Sequence, residues 1–153
     1  MKFSTALFAS ASTSLISTAL AEEPFQQWWY RTAEAVALFP NVTGWEAAFD
    51  DLISPDVKVT FNARELDFEG LKAYWRTIPP IIERDYDFLV LTMNDAVGLP
   101  AEEGRGGSAF MTGTEVGRYK GENRTMTARQ ALFAIFNDDR KAIEWHEVVN
   151  TLQ

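Results

Sequence analysis

The order of two hydrophobic periodicities constrains the fold more than any other feature of this chain. Apolar residues recur at helical three-to-four spacing before Asp87, with one short alternating stretch between them, and they alternate with polar residues after it. Helices that precede a run of antiparallel strands are typical of an α+β fold. A long sheet of this kind bends, so we expect helices to cover its concave face and to leave a pocket at the open end.

The predicted elements are three helices and five strands. Helical spacing predicts Phe25–Phe39, Trp45–Leu52 and Phe68–Thr77. Pro79-Pro80 is expected to kink the third helix, or to restart it as a turn that ends at Arg84. Alternation predicts strands at Val57–Phe61, Phe88–Met93, Ala109–Val116, Thr125–Phe136 and Ala142–Val149. The glycine-rich stretch Gly98–Gly107 is expected to be a long mobile loop.

The first 21 residues have the layout of a secretory signal peptide. Lys2 is followed by an uncharged stretch that ends in the small-x-small pattern Ala19-Leu20-Ala21. We therefore predict a signal peptide over residues 1–21, a secreted protein, and one mature domain over residues 22–153.

Charge and composition exclude several classes of function. The formal net charge of −8 disfavours binding to nucleic acid and, in the mature form, to anionic membranes. The chain has no cysteine and one histidine, and it lacks a phosphate-binding glycine loop, so we predict no metal and no cofactor. N-glycosylation sequons at Asn41 and Asn123 leave it open whether the secreted protein is a glycoprotein.

Three segments carry recognisable motifs: Phe68-Glu69-Gly70-Leu71, Gly113-Thr114-Glu115-Val116-Gly117 and Lys141–Asn150. In this order they resemble the third-helix start, a Gly-Thr-His-x-Gly strand end and the closing strand of the SnoaL-like polyketide cyclase family, within the nuclear-transport-factor-2-like fold. This resemblance implies a cone-shaped domain, with a curved antiparallel sheet and three N-terminal helices over its concave face. The fold hosts isomerases, cyclases, dehydratases, hydrolases and plain binding domains, so it leaves the activity open.

The candidate catalytic residues lie where the chain departs from the family's motifs. The family's strand-end His is Glu115 here, its Glu-His-Trp order is inverted to Glu144-Trp145-His146, and its terminal Asp is Asn150. Alternation puts Glu144, His146 and Asn150 on one face, which by the resemblance faces the pocket. His146 is then a candidate general acid or base, with Glu144 or Glu115 assisting and Asn150 holding a ligand oxygen. The alternative is a hydrogen-bonded histidine half-buried in a sheet, beside an ordinary surface acid.

Several aromatic residues are candidates to contact a flat, ring-containing ligand, because such pockets are mostly apolar. The ligand-binding candidates are Trp28, Tyr30, Trp75 and Phe133. Simple core packing is the alternative for such residues. Trp28 and Tyr30 lie off the apolar stripe of the first helix, so they are also candidates to face a dimer partner.

These observations leave three functional hypotheses open. The first is a secreted SnoaL-like domain that binds a small hydrophobic, oxygen-bearing molecule in an apolar pocket, with cofactor-free acid/base chemistry of the cyclase, isomerase or dehydratase type. The second is a non-catalytic secreted binding or interaction protein that keeps the fold. The third is a homodimer that uses the outer sheet face, anchored by Ile143, Trp145 and Val149. Whether the chain is an enzyme is left open by its sequence.

Overall fold

Three helices and six strands make up the part of the chain that the computed structural model describes, residues 23–36 and 43–152. In chain order they are α1 (Phe25–Val36), α2 (Trp45–Leu52), β1 (Ile53–Phe61), β2 (Arg64–Leu66), α3 (Phe68–Asp85), β3 (Tyr86–Pro100), β4 (Gly107–Tyr119), β5 (Thr125–Phe136) and β6 (Ala142–Leu152). The predicted signal peptide, the predicted helix end at Phe39 and the sequon at Asn41 lie outside the described residues. None of the helices described is long and apolar enough to cross a membrane.

Helix α1 packs on the sheet through one apolar stripe. Phe25, Trp29, Ala33 and Val36 recur at three-to-four spacing and are all buried, as the sequence predicts. The indole Nε1 of Trp29 donates a hydrogen bond of 3.0 Å to the carbonyl oxygen of Phe110. This bond supplies a partner for the polar atom of a fully buried indole and fixes α1 against β4.

Helix α3 is one helix of 18 residues that contains Pro79-Pro80. It begins after Asp67, whose side chain accepts a hydrogen bond of 2.8 Å from the Gly70 amide. The predicted end at Thr77 is wrong, because the helix continues through both prolines to the start of β3. Ile78 before the prolines packs against the core, and Ile82 after them lines the space between the helix and the sheet.

The six strands form one curved, open sheet in the order β2-β1-β6-β5-β4-β3. Neighbours are antiparallel, as predicted, except β1 and β6, which run parallel, so the sheet is mixed. The chain leaves β1 through β2 and α3 and returns beside it only with its last strand. Strand β2 was not predicted, since three residues are too few to show alternation.

Strands β3 and β4 form a longer hairpin than their glycines suggest. The loop predicted over Gly98–Gly107 is wrong, because β3 runs to Pro100 and only residues 101–106 connect it to β4. A Cβ atom on Gly98 would lie 3.1 Å from the Cβ atom of Trp29. Gly98 therefore allows close approach of α1 to the strand, which is a frequent role of glycine inside a sheet.

The two faces of the sheet have different environments. On the concave face, Met111, Leu132 and Trp145 are buried in the core against the helices, which confirms the predicted α+β arrangement. The convex face carries no helix in the described part of the chain, and several of its apolar side chains are exposed. These include Val90, Val116, Phe133 and Val148.

Candidate active site

A cavity of about 230 Å³ lies between α3 and the concave face of the sheet. Most of its wall is aromatic or aliphatic, as a site for an apolar ligand requires. The apolar lining includes Phe61, Trp75, Ile78, Ile82 and Leu91. The polar lining residues are Tyr74, Tyr86, Glu115, Gln130 and Glu147. The arrangement is an apolar chamber with a small set of groups that can hold or move a proton.

Three neighbouring strands carry the polar groups on the sheet side of this cavity. Glu115 lies on β4, Gln130 on β5 and Glu147 on β6, and strand alternation directs all three to the concave face. Gln130 pairs in register with Gly113 on one side and with Val149 on the other. On β5, Gln130 is thus two residues from the direct partner of Glu115 and two residues from the direct partner of Glu147. In a pleated sheet, such diagonal neighbours are within reach of long side chains.

Glu147 is a buried acid with two hydrogen-bond donors on its carboxyl group. The residue is 5% exposed. Gln130 Nε2 donates to Oε1, and Trp145 Nε1 donates to Oε2 at 3.1 Å. The pKa of Glu147 is raised to about 7, mainly by burial. The charge of Glu115 also raises this pKa, whereas the hydrogen bonds from Trp145 and Gln130 lower it. The carboxyl group is therefore poised to accept or to donate a proton near neutral pH.

Glu115 is the second acid of the cavity, and burial raises its pKa above the usual 4.5. Burial also raises the pKa of Tyr74, and the charges of Glu147 and Glu115 act in the same direction, so the phenol keeps its proton. Burial and a hydrogen bond with Tyr119 raise the pKa of Tyr86 to about 12. The site thus combines two carboxyl groups with two phenols that can donate hydrogen bonds.

A metal-binding cluster is absent from residues 23–36 and 43–152, where no three His, Asp or Glu side chains form a group that could hold an ion. The cofactor-free character of the site stays a prediction from the sequence.

The predicted catalytic pair lies on the opposite face of the sheet. His146 Nε2 and Glu144 Oε2 are 3.3 Å apart on the convex side, with 40% and 36% of their side chains exposed. Asn150 is on the same face, where it lines an open groove together with Thr114, Arg129 and Val148. The predicted orientation of His146, Glu144 and Asn150 toward the pocket is therefore wrong. Glu115 is the one predicted catalytic residue that lines the cavity.

The cause of this error is the inverted order of Trp145 and His146. The family resemblance puts an inward-facing histidine on this strand, but Trp145 is the residue that points inward here, and side-chain alternation then directs Glu144 and His146 to the other face. The same alternation affects the predicted dimer anchors. Trp145 is fully buried and Val149 lines the cavity, so only Ile143, at 37% exposure, remains accessible.

The four predicted ligand-binding aromatics lie in four different surroundings. Trp75 lines the cavity, as Glu115 does. Trp28 packs into the aromatic cluster beneath α1, Tyr30 is 51% exposed, and Phe133 lies on the convex face. The structure thus brings Trp75 and Glu115 together and leaves the other three outside this cavity. Contact of any of them with a ligand stays a prediction.

Sequence reasoning missed Glu147 and Gln130. A signal for Glu147 existed, because it lies between Trp145 and Val149 on a strand face that is otherwise apolar. A carboxylate is rarely buried on such a face without a partner or a function. Gln130 gave no comparable signal, since amides are common at the edges of ordinary cores.

The fold matches solved structures, whereas no family model and no curated protein matches the chain. AusH from Aspergillus nidulans is 13% identical, with a TM-score of 0.57 over 84% of this chain and 87% of its own. AclR from Streptomyces galilaeus is 16% identical, with a TM-score of 0.53 over 79% of each chain. A SnoaL-like family protein from Agrobacterium tumefaciens is 8% identical, with a TM-score of 0.51 over 81% of this chain and 98% of its own.

The chain therefore has the SnoaL-like, nuclear-transport-factor-2-like fold. At these sequence identities the likeness extends to the fold alone, and the activity has to be argued from the cavity.

Proposed function

We propose that this protein binds a small, mostly apolar, oxygen-bearing molecule in the α3 cavity and moves a proton on it by cofactor-free acid/base chemistry. The observation that supports this most is Glu147, a buried carboxyl group in an apolar wall whose pKa is raised to about 7. Titratable groups shifted in this way by burial inside a cavity are typical of catalytic acids and bases.

Two acids with different environments allow a complete proton transfer. One carboxylate removes a proton from a carbon next to a carbonyl group, and a protonated carboxyl group returns a proton to another atom of the same molecule. Glu147 and Glu115 are the candidates for these roles, and Tyr74 is a phenol donor for a developing oxygen anion. Isomerisation, dehydration and cyclisation all need this set of steps.

The size of the cavity limits the ligand. At about 230 Å³ it is smaller than the roughly 300–1,000 Å³ of pockets that hold drug-sized molecules. A compound of one or two rings with one or two oxygen atoms fits this volume and the mostly apolar lining.

The test is a search for a co-purified compound by native mass spectrometry, followed by turnover assays on it. We expect Glu147→Gln to retain the compound and to lose its conversion, because the amide keeps the shape of the carboxyl group and cannot titrate. Glu144→Gln is the matched control, since it removes an acid from the same strand on the convex face. Equal turnover in both variants contradicts a catalytic role for Glu147.

A non-catalytic binding protein is the second candidate, favoured by the convex position of the only histidine. It predicts that the wild type retains a ligand unchanged and that Glu147→Gln alters affinity alone.

We further propose that the protein is secreted after removal of residues 1–21. Protein collected from the culture medium is expected to begin at Glu22. A protein that stays in the cells with Met1 in place contradicts this proposal.

A further inference from the structure

The two hydrogen bonds on Glu147 restrict where this carboxyl group can carry a proton. An indole N–H is a donor only, so Oε2, which receives the Trp145 bond, has to remain an acceptor. Since a carbonyl oxygen is the better acceptor for this N–H group, a proton on Glu147 is favoured on Oε1. This oxygen faces Gln130 Nε2, which is also a donor. The arrangement is thus complete for the ionised acid and places two donors against each other for the neutral acid.

The side-chain amide of Gln130 has one buried atom without a hydrogen-bond partner. Its Oε1 is buried and has no hydrogen-bond partner among the described residues. A buried acceptor without a partner is costly. The oxygen and the nitrogen of a side-chain amide occupy nearly the same space, so the group can exchange their positions by rotation. After that rotation Oε1 would accept the proton of neutral Glu147, and Nε2 would become the unpaired atom.

We propose that the Gln130 amide turns over when Glu147 binds a proton, so that the protonation of the buried acid sets the orientation of an amide in the cavity wall. With ionised Glu147 the unpaired amide atom is an acceptor. With neutral Glu147 it is a donor. The rotation requires only the two side chains and does not depend on the function proposed above.

Other ionisable groups around Glu147 act on its titration without replacing this mechanism. Glu115 faces it from β4, Tyr74 from α3 and Tyr86 from β3, while Arg64 on β2 acts on Tyr74. The charge of Glu115 raises the pKa of Glu147 whichever amide atom faces the carboxyl group. A comparison of variants at Gln130 and Trp145 leaves these groups in place and isolates the two donors.

The experiment measures the pKa of Glu147 by carbon NMR of the carboxyl group in the ligand-free protein. Trp145→Phe removes a donor that bonds to both forms of the acid and more strongly to the ionised one, so we expect the pKa to rise by about one pH unit or more. Gln130→Met removes a donor to the ionised form and, after the rotation, an acceptor from the neutral form, so the two losses oppose each other and we expect less than half of that rise. A rise after Gln130→Met as large as that after Trp145→Phe overturns the proposal, because it shows a fixed donor.

A measurement on the wild type covers the case in which Trp145→Phe does not fold, since this indole is fully buried. The side-chain NH₂ signals of Gln130 are expected to titrate with the Glu147 carboxyl group, and their nuclear Overhauser contacts to Glu147 are expected to disappear as the acid becomes neutral. NH₂ contacts to Glu147 that persist through the whole titration overturn the rotation.

Discussion

Replacement of Glu147 by Gln is expected to make the protein more stable at alkaline pH and to leave its stability nearly unchanged at acid pH. Burial raises the pKa of this carboxyl group from the usual 4.5 to about 7. The unfolded chain therefore loses the proton at lower pH than the folded protein does. Glutamine keeps the shape of the neutral acid and has no proton to lose, so the stability of the variant does not fall when this site would lose its proton.

The direction and the size follow from linkage. Between pH 4.5 and about 7 the folded state binds more protons than the unfolded state, so the free energy of unfolding of the wild type falls as the pH rises through this window. Each pH unit corresponds to about 1.4 kcal/mol. Over about 2.5 units, the wild type loses about 3 kcal/mol relative to Glu147→Gln, and below pH 4.5 the difference vanishes.

Urea denaturation at about pH 4 and about pH 8 measures this difference directly. The exposed Glu65 on β2 supplies the control, because Glu65→Gln removes the same charge from the surface and is expected to change the free energy of unfolding by less than about 0.5 kcal/mol at either pH. A stability difference between Glu147→Gln and the wild type that is equal at both pH values would refute the reasoning, as would a gain confined to acid pH.

Three further outcomes are expected. His146→Ala should leave ligand retention and turnover unchanged in the assays used for Glu147→Gln, because the ring lies on the convex face; a loss of retention contradicts the cavity as the binding site. Asp67→Ala should lower the free energy of unfolding by about 1 kcal/mol in urea denaturation, since the side chain that caps α3 is lost; an unchanged midpoint refutes the cap's contribution. The homodimer stays a prediction, and we expect it to use the convex face, where Val90 and Val148 are 53% and 54% exposed. Val148→Lys should then yield monomers in sedimentation analysis, whereas a wild-type monomer at micromolar concentration contradicts the dimer.

The elements with one continuously buried face could be predicted from the sequence. Helix α2 and strand β5 have their predicted ends, and the buried stripe of α1 is the predicted one. In these elements, each apolar position packs into the same core, so the hydrophobic periodicity indicates which face is buried. The family resemblance gave the fold for the same reason, because its motifs mark turns and strand ends that are set by local geometry.

The inward face of β6 was predicted from the family resemblance, which selected the face that carries Glu144 and His146, and this prediction was wrong. Alternation defines one face with Glu144 and His146 and another with Trp145 and Glu147, but both faces carry apolar and charged residues. Only the packing of α3 against the sheet decides between them, and that contact is distant in sequence. The parallel partner of β1 is set in the same way, since side-chain alternation is identical in parallel and antiparallel strands.

The parallel pairing of β1 with β6 determines when a newly made chain can complete its sheet. Strand β1 lies between β2 and β6, so its pairing on one side waits until Ala142–Leu152 has been synthesised. Before that, β1 with β2 and the meander of β3, β4 and β5 share no strand-to-strand contact, and long-range pairings of this kind form late. The same last strand brings Glu147. A chain truncated before β6 therefore lacks both a continuous sheet and the buried acid.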